Sequence, residues 1–128
     1  MKNTAVSTGA AVVLVAAGSE EQATQIAHTL VSERLAACAN IVSPIRSVYR
    51  WNDEVQTDTE HLLIIKTRAN LVAKVAARVK ELHSYEVPEV IALPILAGAK
   101  SYLDWLFSST MVKPSPANTP RRVARGKK

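Results

Sequence analysis

Residues 37–67 read ACANIVSPIRSVYRWNDEVQTDTEHLLIIKT, two strand-like runs folded back on a short polar turn. In the first run Ile41, Ile45, Tyr49 and Trp51 share one parity, the spacing of a strand with one apolar face. Pro44 interrupts it, as a bulge or an edge position would. Trp51-Asn52-Asp53-Glu54 supplies turn residues, and residues 55–67 return, polar first and then apolar from Leu62 to Ile65. Together these predict a long hairpin whose polar tip, around Trp51 to Glu60, extends further than one small domain can cover. An exposed ribbon bearing Tyr49 and Trp51 invites a partner's sheet edge.

Upstream of the hairpin, residues 11–17 form an apolar run too short for a stable helix and read as a buried strand. With Lys2 before it and Ala16-Ala17-Gly18 after it, the run mimics a secretory signal. Its Val12, Val13 and Val15 and the helix start that follows directly favour the strand instead. Ser19 and Gln22 form a capping-box pattern, and Glu20 and Glu21 place negative charge at the positive end of the helix dipole. Ala23, Ile26, Ala27, Leu30, Val31 and Leu35 then draw one apolar stripe, predicting a helix to about Arg34.

Beyond the hairpin, Leu71, Val72, Val75, Ala76, Val79 and Leu82 give a second amphipathic helix, closed by His83 and the following Pro88. Residues 90–95 are a short strand that Pro94 either places at an edge or ends, and residues 101–107 a short aromatic helix. The order β-α-β-β-α-β plus a terminal helix specifies an α+β, ferredoxin-like sandwich with both main helices on one face of an antiparallel sheet. The other face is left uncovered, which makes self-association a physical expectation.

Composition bounds the rest. At 128 residues and 48% hydrophobic, the chain suits one domain with a real core, expected over residues 11–112 after a short extension (1–10). Cys38 is the only cysteine, which excludes an intrachain disulfide and makes the cytoplasm the default compartment. The net charge of +5 is uneven: residues 113–128 carry six Lys/Arg and no Asp/Glu. The remaining ten Lys/Arg face all eleven Asp/Glu, so the body is not basic and residues 113–128 read as a solvated basic tail. No run approaches transmembrane length, and no membrane partner is expected.

Four separated motifs carry a resemblance: Glu33-Arg34-Leu35-Ala36-Ala37-Cys38-Ala39-Asn40-Ile41; Tyr49-Arg50-Trp51 with Glu60 and Lys66-Thr67; His83-Ser84-Tyr85-Glu86-Val87-Pro88-Glu89; and Tyr102-Leu103-Asp104-Trp105. Together, across residues 11–107, they resemble the CutA divalent-cation tolerance family. The resemblance implies a PII-like, ferredoxin-like homotrimer in which the long hairpins extend each sheet into its neighbour's. It also implies tolerance of copper and other divalent cations through metal binding, or, in an alternative reading, a small-ligand-binding or protein-anchoring trimer with no direct metal role. No settled enzymatic activity comes with it. Two departures stand out: Ser84 where the family usually has proline, implying a less rigid loop, and Asn52-Asp53 where a glycine is more usual.

Copper favours thiolate and imidazole, so Cys38 and His83 are the candidate metal ligands, with Glu60, Glu86 or Glu89 as oxygen donors. No pair has the spacing of a local chelate, and His28 and His61 are isolated; a small core residue and a helix-end cap are the alternatives for Cys38 and His83. Trp51, Tyr85, Tyr102 and Trp105, with Lys66 and Glu60, are candidates for a ligand cleft between subunits. Interface packing explains the aromatics too, and an ion pair explains Lys66 and Glu60. Cys38 with His83 as nucleophile and base lacks an oxyanion turn and an orienting group, so no enzyme is expected. RNA-recognition domains share the topology but need stacking aromatics where this chain has His61-Leu62-Leu63-Ile64-Ile65-Lys66; no nucleic-acid partner is expected for the body.

Overall fold

The structure is a computed structural model that describes residues 7–110. The basic tail, Met111, Val112 and the first six residues lie outside the described residues. Strand β1 (Ala10–Ala17) leads into helix α1 (Glu20–Ser32), then β2 (Cys38–Trp51), β3 (Glu54–Arg68), a 3₁₀ turn (Ala69–Leu71), α2 (Val72–Leu82), β4 (Val90–Pro94) and α3 (Lys100–Ser109). The sheet is antiparallel throughout, in the order β2-β3-β1-β4, which is the expected ferredoxin-like arrangement.

Helix α1 begins where Ser19 Oγ accepts the Gln22 amide at 3.0 Å. The Gln22 side chain does not complete a reciprocal box; its amide reaches the Leu82 carbonyl at 3.3 Å instead. The helix stops two residues before Arg34. Leu35 N–H donates to Leu30 O and Arg34 N–H to Val31 O, at 2.9 and 3.1 Å, with Arg34 at φ 63°. That is a Schellman ending with arginine at the left-handed position where glycine is usual.

Val13 and Val15 of β1, Leu63 and Ile65 of β3, Ala23, Ile26 and Leu30 of α1, and Val75 and Val79 of α2 are fully buried together. This core explains why α1 and α2 share one face. The second face is only partly open, because α3 covers one end of it, packing Leu106 against Ala10 and Ala37. Arg68 fixes that helix: its guanidinium donates to Phe107 O at 2.6 Å and Thr110 Oγ1 at 2.9 Å, and lies 5.0 Å over the Phe107 ring. A cation on the last carbonyls is favourable for a helix end.

Pro44 sits in a bulge: Val42 faces Leu62 but Ile45 faces Glu60. The extra residue exchanges the faces of everything downstream. Ile41, opposite Leu63, packs on the core, whereas Ile45, Tyr49 and Trp51 lie on the second face with Glu60. The single apolar parity read from the sequence is therefore two faces in succession. Beyond the bulge, residues 45–51 and 54–60 pair only with each other, because β1 covers β3 from His61 onward. This two-stranded ribbon projects about 20 Å past the sheet. It closes through Asn52 and Asp53 at φ 54° and 65° with Trp51 opposite Glu54, a two-residue turn of the type that favours Asn and Asp among non-glycine residues.

Candidate functional site

On the second face, the base of the ribbon and the loop after α2 enclose a cleft of about 670 Å³. Ala16, Ser47, Val48, Tyr49, Trp51 and Glu60 line it from the sheet, and Tyr85, Glu86, Val87 and Glu89 from the loop.

His83 shapes that loop. Its amide ends α2 on Val79 O at 2.8 Å. Its Nδ1 accepts the Tyr85 amide at 3.1 Å, and its Nε2 lies 2.7 Å from Ala16 O. An amide only donates, so Nδ1 is bare and Nε2 carries the proton given to the carbonyl. Both nitrogens are thus occupied within the chain, in a buried ring tilted against Tyr85 at 4.5 Å. Ser84 holds the same turn, donating through its amide (3.2 Å) and hydroxyl (3.0 Å) to Gln22 Oε1. Proline has no amide to make the first of these bonds, so the departure expected to loosen the loop gives it an anchor of another kind.

Tyr85 then reaches over Gly18, where an added Cβ would come within 2.9 Å of the phenol oxygen, and donates to Glu60 Oε2 at 2.8 Å. Glu60 is 8% exposed. Partial desolvation of the phenol, then donation to Glu60, push the Tyr85 pKa well above its ordinary value. The Tyr49 hydroxyl donates to Asp58, which raises its pKa as well. The role of Tyr49 and Asp58 beside the cleft was not read from the sequence; their shared face of the ribbon was the available signal.

The structure divides the sequence-predicted residues between two places. Trp51, Glu60, Tyr85, Glu86 and Glu89 share the cleft. Lys66, Tyr102 and Trp105 do not line it; they lie with Cys38 at the α3 end of the sheet. Cys38 is opposite Lys66 in register, and its Sγ is 3.5 Å from the Tyr102 hydroxyl; the Tyr102 and Trp105 rings meet at 5.3 Å, tilted by 46°. Lys66 donates to Asn40, and makes no ion pair with Glu60, because six residues along one strand span about 20 Å. The same spacing separates Cys38 from Glu60. Among the described residues no three His, Cys, Asp or Glu side chains converge as a metal centre. The donor set of one chain therefore does not fit a resident metal ion: His83 has no lone pair left, and Cys38 is remote from the carboxylates.

Residues 11–109 match the family model described as CutA1 divalent ion tolerance protein. The chain belongs to this family. It is 54% identical over 99 residues to the divalent-cation tolerance protein CutA of Thermus thermophilus, a match spanning 77% of this chain and 96% of that one. With the chloroplastic protein CutA 1 of Oryza sativa it shares 49% identity over 110 residues, 86% of this chain and 62% of the longer relative. The solved CutA1 structure from Thermus thermophilus superposes with a TM-score of 0.78 at 52% identity, covering 80% of this chain and 99% of that one. The Thermus thermophilus relative is named for tolerance and not for a reaction. No helix of the described residues is long and apolar enough to cross a membrane.

Proposed function

We propose that the chain serves divalent-cation tolerance, copper foremost, as a cytoplasmic homotrimer that binds its cargo and does not transform it. The observation that carries the assembly is the ribbon. It displays Val48 and Val55 on one side, 64% and 66% exposed, and Tyr49 and Trp51 on the other. A two-stranded ribbon is marginal in water by itself, and apolar groups on both its sides call for cover from another chain. The β2 and β4 edges of the sheet, with Ile91 and Leu93 exposed on β4, offer pairing partners.

Metal is cargo in this reading, and an assembly is what would hold it. Three-fold symmetry gathers three copies of one donor, supplying ligands that a single chain lacks. Cys38 is the soft donor best suited to copper, and the carboxylates of Glu60, Glu86 and Glu89 are the oxygen donors. His83 drops out as a first choice, because ligation would break a bond to Ala16 or Tyr85. The test is copper titration against a calibrated competing chelator, with the wild type, Cys38→Ala and His83→Ala compared and the assembly mass recorded. Binding lost in Cys38→Ala with a trimeric mass retained supports direct handling through that thiol. Weak binding unchanged by Cys38→Ala removes Cys38 from the reading.

A further inference from the structure

Covering the second face with another chain places a demand on Glu60. The residue is already more than nine-tenths buried, and of its two carboxylate oxygens only Oε2 has a partner, the Tyr85 hydroxyl. No side-chain N or O atom among the described residues is both fully buried and unpartnered, so Oε1 still reaches water through the cleft. A second chain seated on Tyr49 and Trp51 closes that route, and a carboxylate cut off from water without a donor is strongly unfavourable. The covering chain therefore has to bring a donor, and a cation is the strongest kind.

The same face holds the complement. Side chains alternate along a strand, so Glu54, Asp58, Glu60, Lys66 and Arg68 of β3 all stand on the second face. Its carboxylates lie at the ribbon end and its cations at the α3 end. Arg68 is spent on Phe107 O and Thr110 Oγ1. Lys66 is half-buried between Val12 of β1 and Cys38 of β2, and its partner is the neutral Asn40. The ion pairs among the described residues are Arg78 with Glu33 and Glu81, and Lys100 with Asp104, so neither Lys66 nor Glu60 meets an opposite charge in its own chain. By the same alternation Arg46 and Arg50 point to the ribbon's other side, and both are exposed, where water serves them. About 20 Å of strand keeps Lys66 from Glu60 within one chain. A head-to-tail contact between copies brings them together, the acidic end of one second face against the basic end of the next. Repeated by a three-fold rotation such a contact closes on itself, and every Glu60 and every Lys66 is paired. We propose that Glu60 at the cleft of one subunit pairs with Lys66 of the partner subunit, so that a second copy of the chain completes the cleft. This rests on the trimer proposed above; it gives Glu60 to the contact and leaves Glu86 and Glu89 as the oxygen donors for cargo.

The test is a double-mutant cycle on the full-length protein: Glu60→Gln, Lys66→Met and both together. Assembly mass is read by sedimentation, and the urea midpoint of dissociation at one protein concentration. Glu60→Gln keeps the shape and an oxygen for the Tyr85 hydroxyl, and Lys66→Met keeps an apolar stem on the sheet, so both retain the fold. Positions this far apart in one chain act independently, and their losses add. Paired across an interface, each single variant lowers the midpoint and the double variant falls no further than the worse single. Lys66→Glu should lower it more, through like-charge repulsion, and should lose most of that extra effect in the Glu60→Gln background. Additive losses with a trimeric wild type overturn the pairing alone. So does coupling of Glu60→Gln to Arg46→Met/Arg50→Met in place of Lys66→Met. A monomeric wild type overturns the pairing together with the trimer.

Discussion

Tyr85 donates its phenol proton to Oε2 of Glu60 at 2.8 Å, and this bond ties the loop that follows α2 to the base of the projecting ribbon. One partner sits in a turn organised by His83 and the other at the last point where β3 is flanked only by β2. The geometry of the cleft depends on both ends holding.

Tyr85→Phe removes the donor while leaving the ring. Glu60 then keeps a poorly solvated carboxylate without its partner, which should lower stability by about 1–3 kcal/mol. Chemical denaturation should show a lower midpoint at an unchanged slope.

The same pair sets an alkaline limit. The Tyr85 pKa is raised in the folded protein, and an unfolded tyrosine titrates near about 10. Below that pH both states keep the proton and the contribution is fully present; above it the unfolded state ionises first, and stability falls as pH rises toward the folded value. Ultraviolet titration should show Tyr85 ionising late, a lag abolished in Tyr85→Phe.

His83→Ala takes away the acceptor for the Tyr85 amide and the donor to Ala16 O, both in a buried site. A loss of about 1–3 kcal/mol is expected. Affinity for copper, measured by chelator competition, should stay within error of the wild type if the ring is structural.

Placing charge on one side of the ribbon, as Val48→Asp/Val55→Asp, should dissociate the assembly without touching the core, since neither side chain belongs to it. Sedimentation should report a monomer with native-like secondary structure. A mass equal to the wild type's would mean that side of the ribbon is not the contact.

Arg34→Gly should stabilise the fold by about 0.5–1 kcal/mol, visible as a higher melting temperature. Arg34 occupies a left-handed conformation at the end of α1, where a side chain is disfavoured by roughly 1–2 kcal/mol and glycine is not.

Periodicity made the element order, the sheet and its helical face legible, because each apolar stripe maps onto one buried surface. The ribbon was legible as well, since Trp51-Asn52-Asp53-Glu54 joins two runs longer than any other strand. Local signals failed where a residue's partner was distant in the chain. Ser19 and Gln22 look like a reciprocal cap, but Gln22 is drawn to Leu82 and Ser84 by the packing of α1 against the loop after α2. Lys66 and Glu60 share a face, which parity reveals, but within one chain the strand length between them rules out the ion pair and keeps the aromatics of α3 apart from those of the cleft. Cys38 and His83 looked like a pair by chemistry alone; nothing in their spacing told that the sheet would hold them apart.

The bulge at Pro44 also separates two kinds of evolutionary constraint. Upstream, the odd-numbered positions of β2 answer to the core; downstream, the same parity answers to the ribbon and cleft. One strand can therefore vary in what it presents to neighbours and ligands while the interior stays unchanged. Sequence drift at Ile45, Tyr49 and Trp51 is free to track assembly and binding, whereas drift at Ala39 and Ile41 is limited by folding.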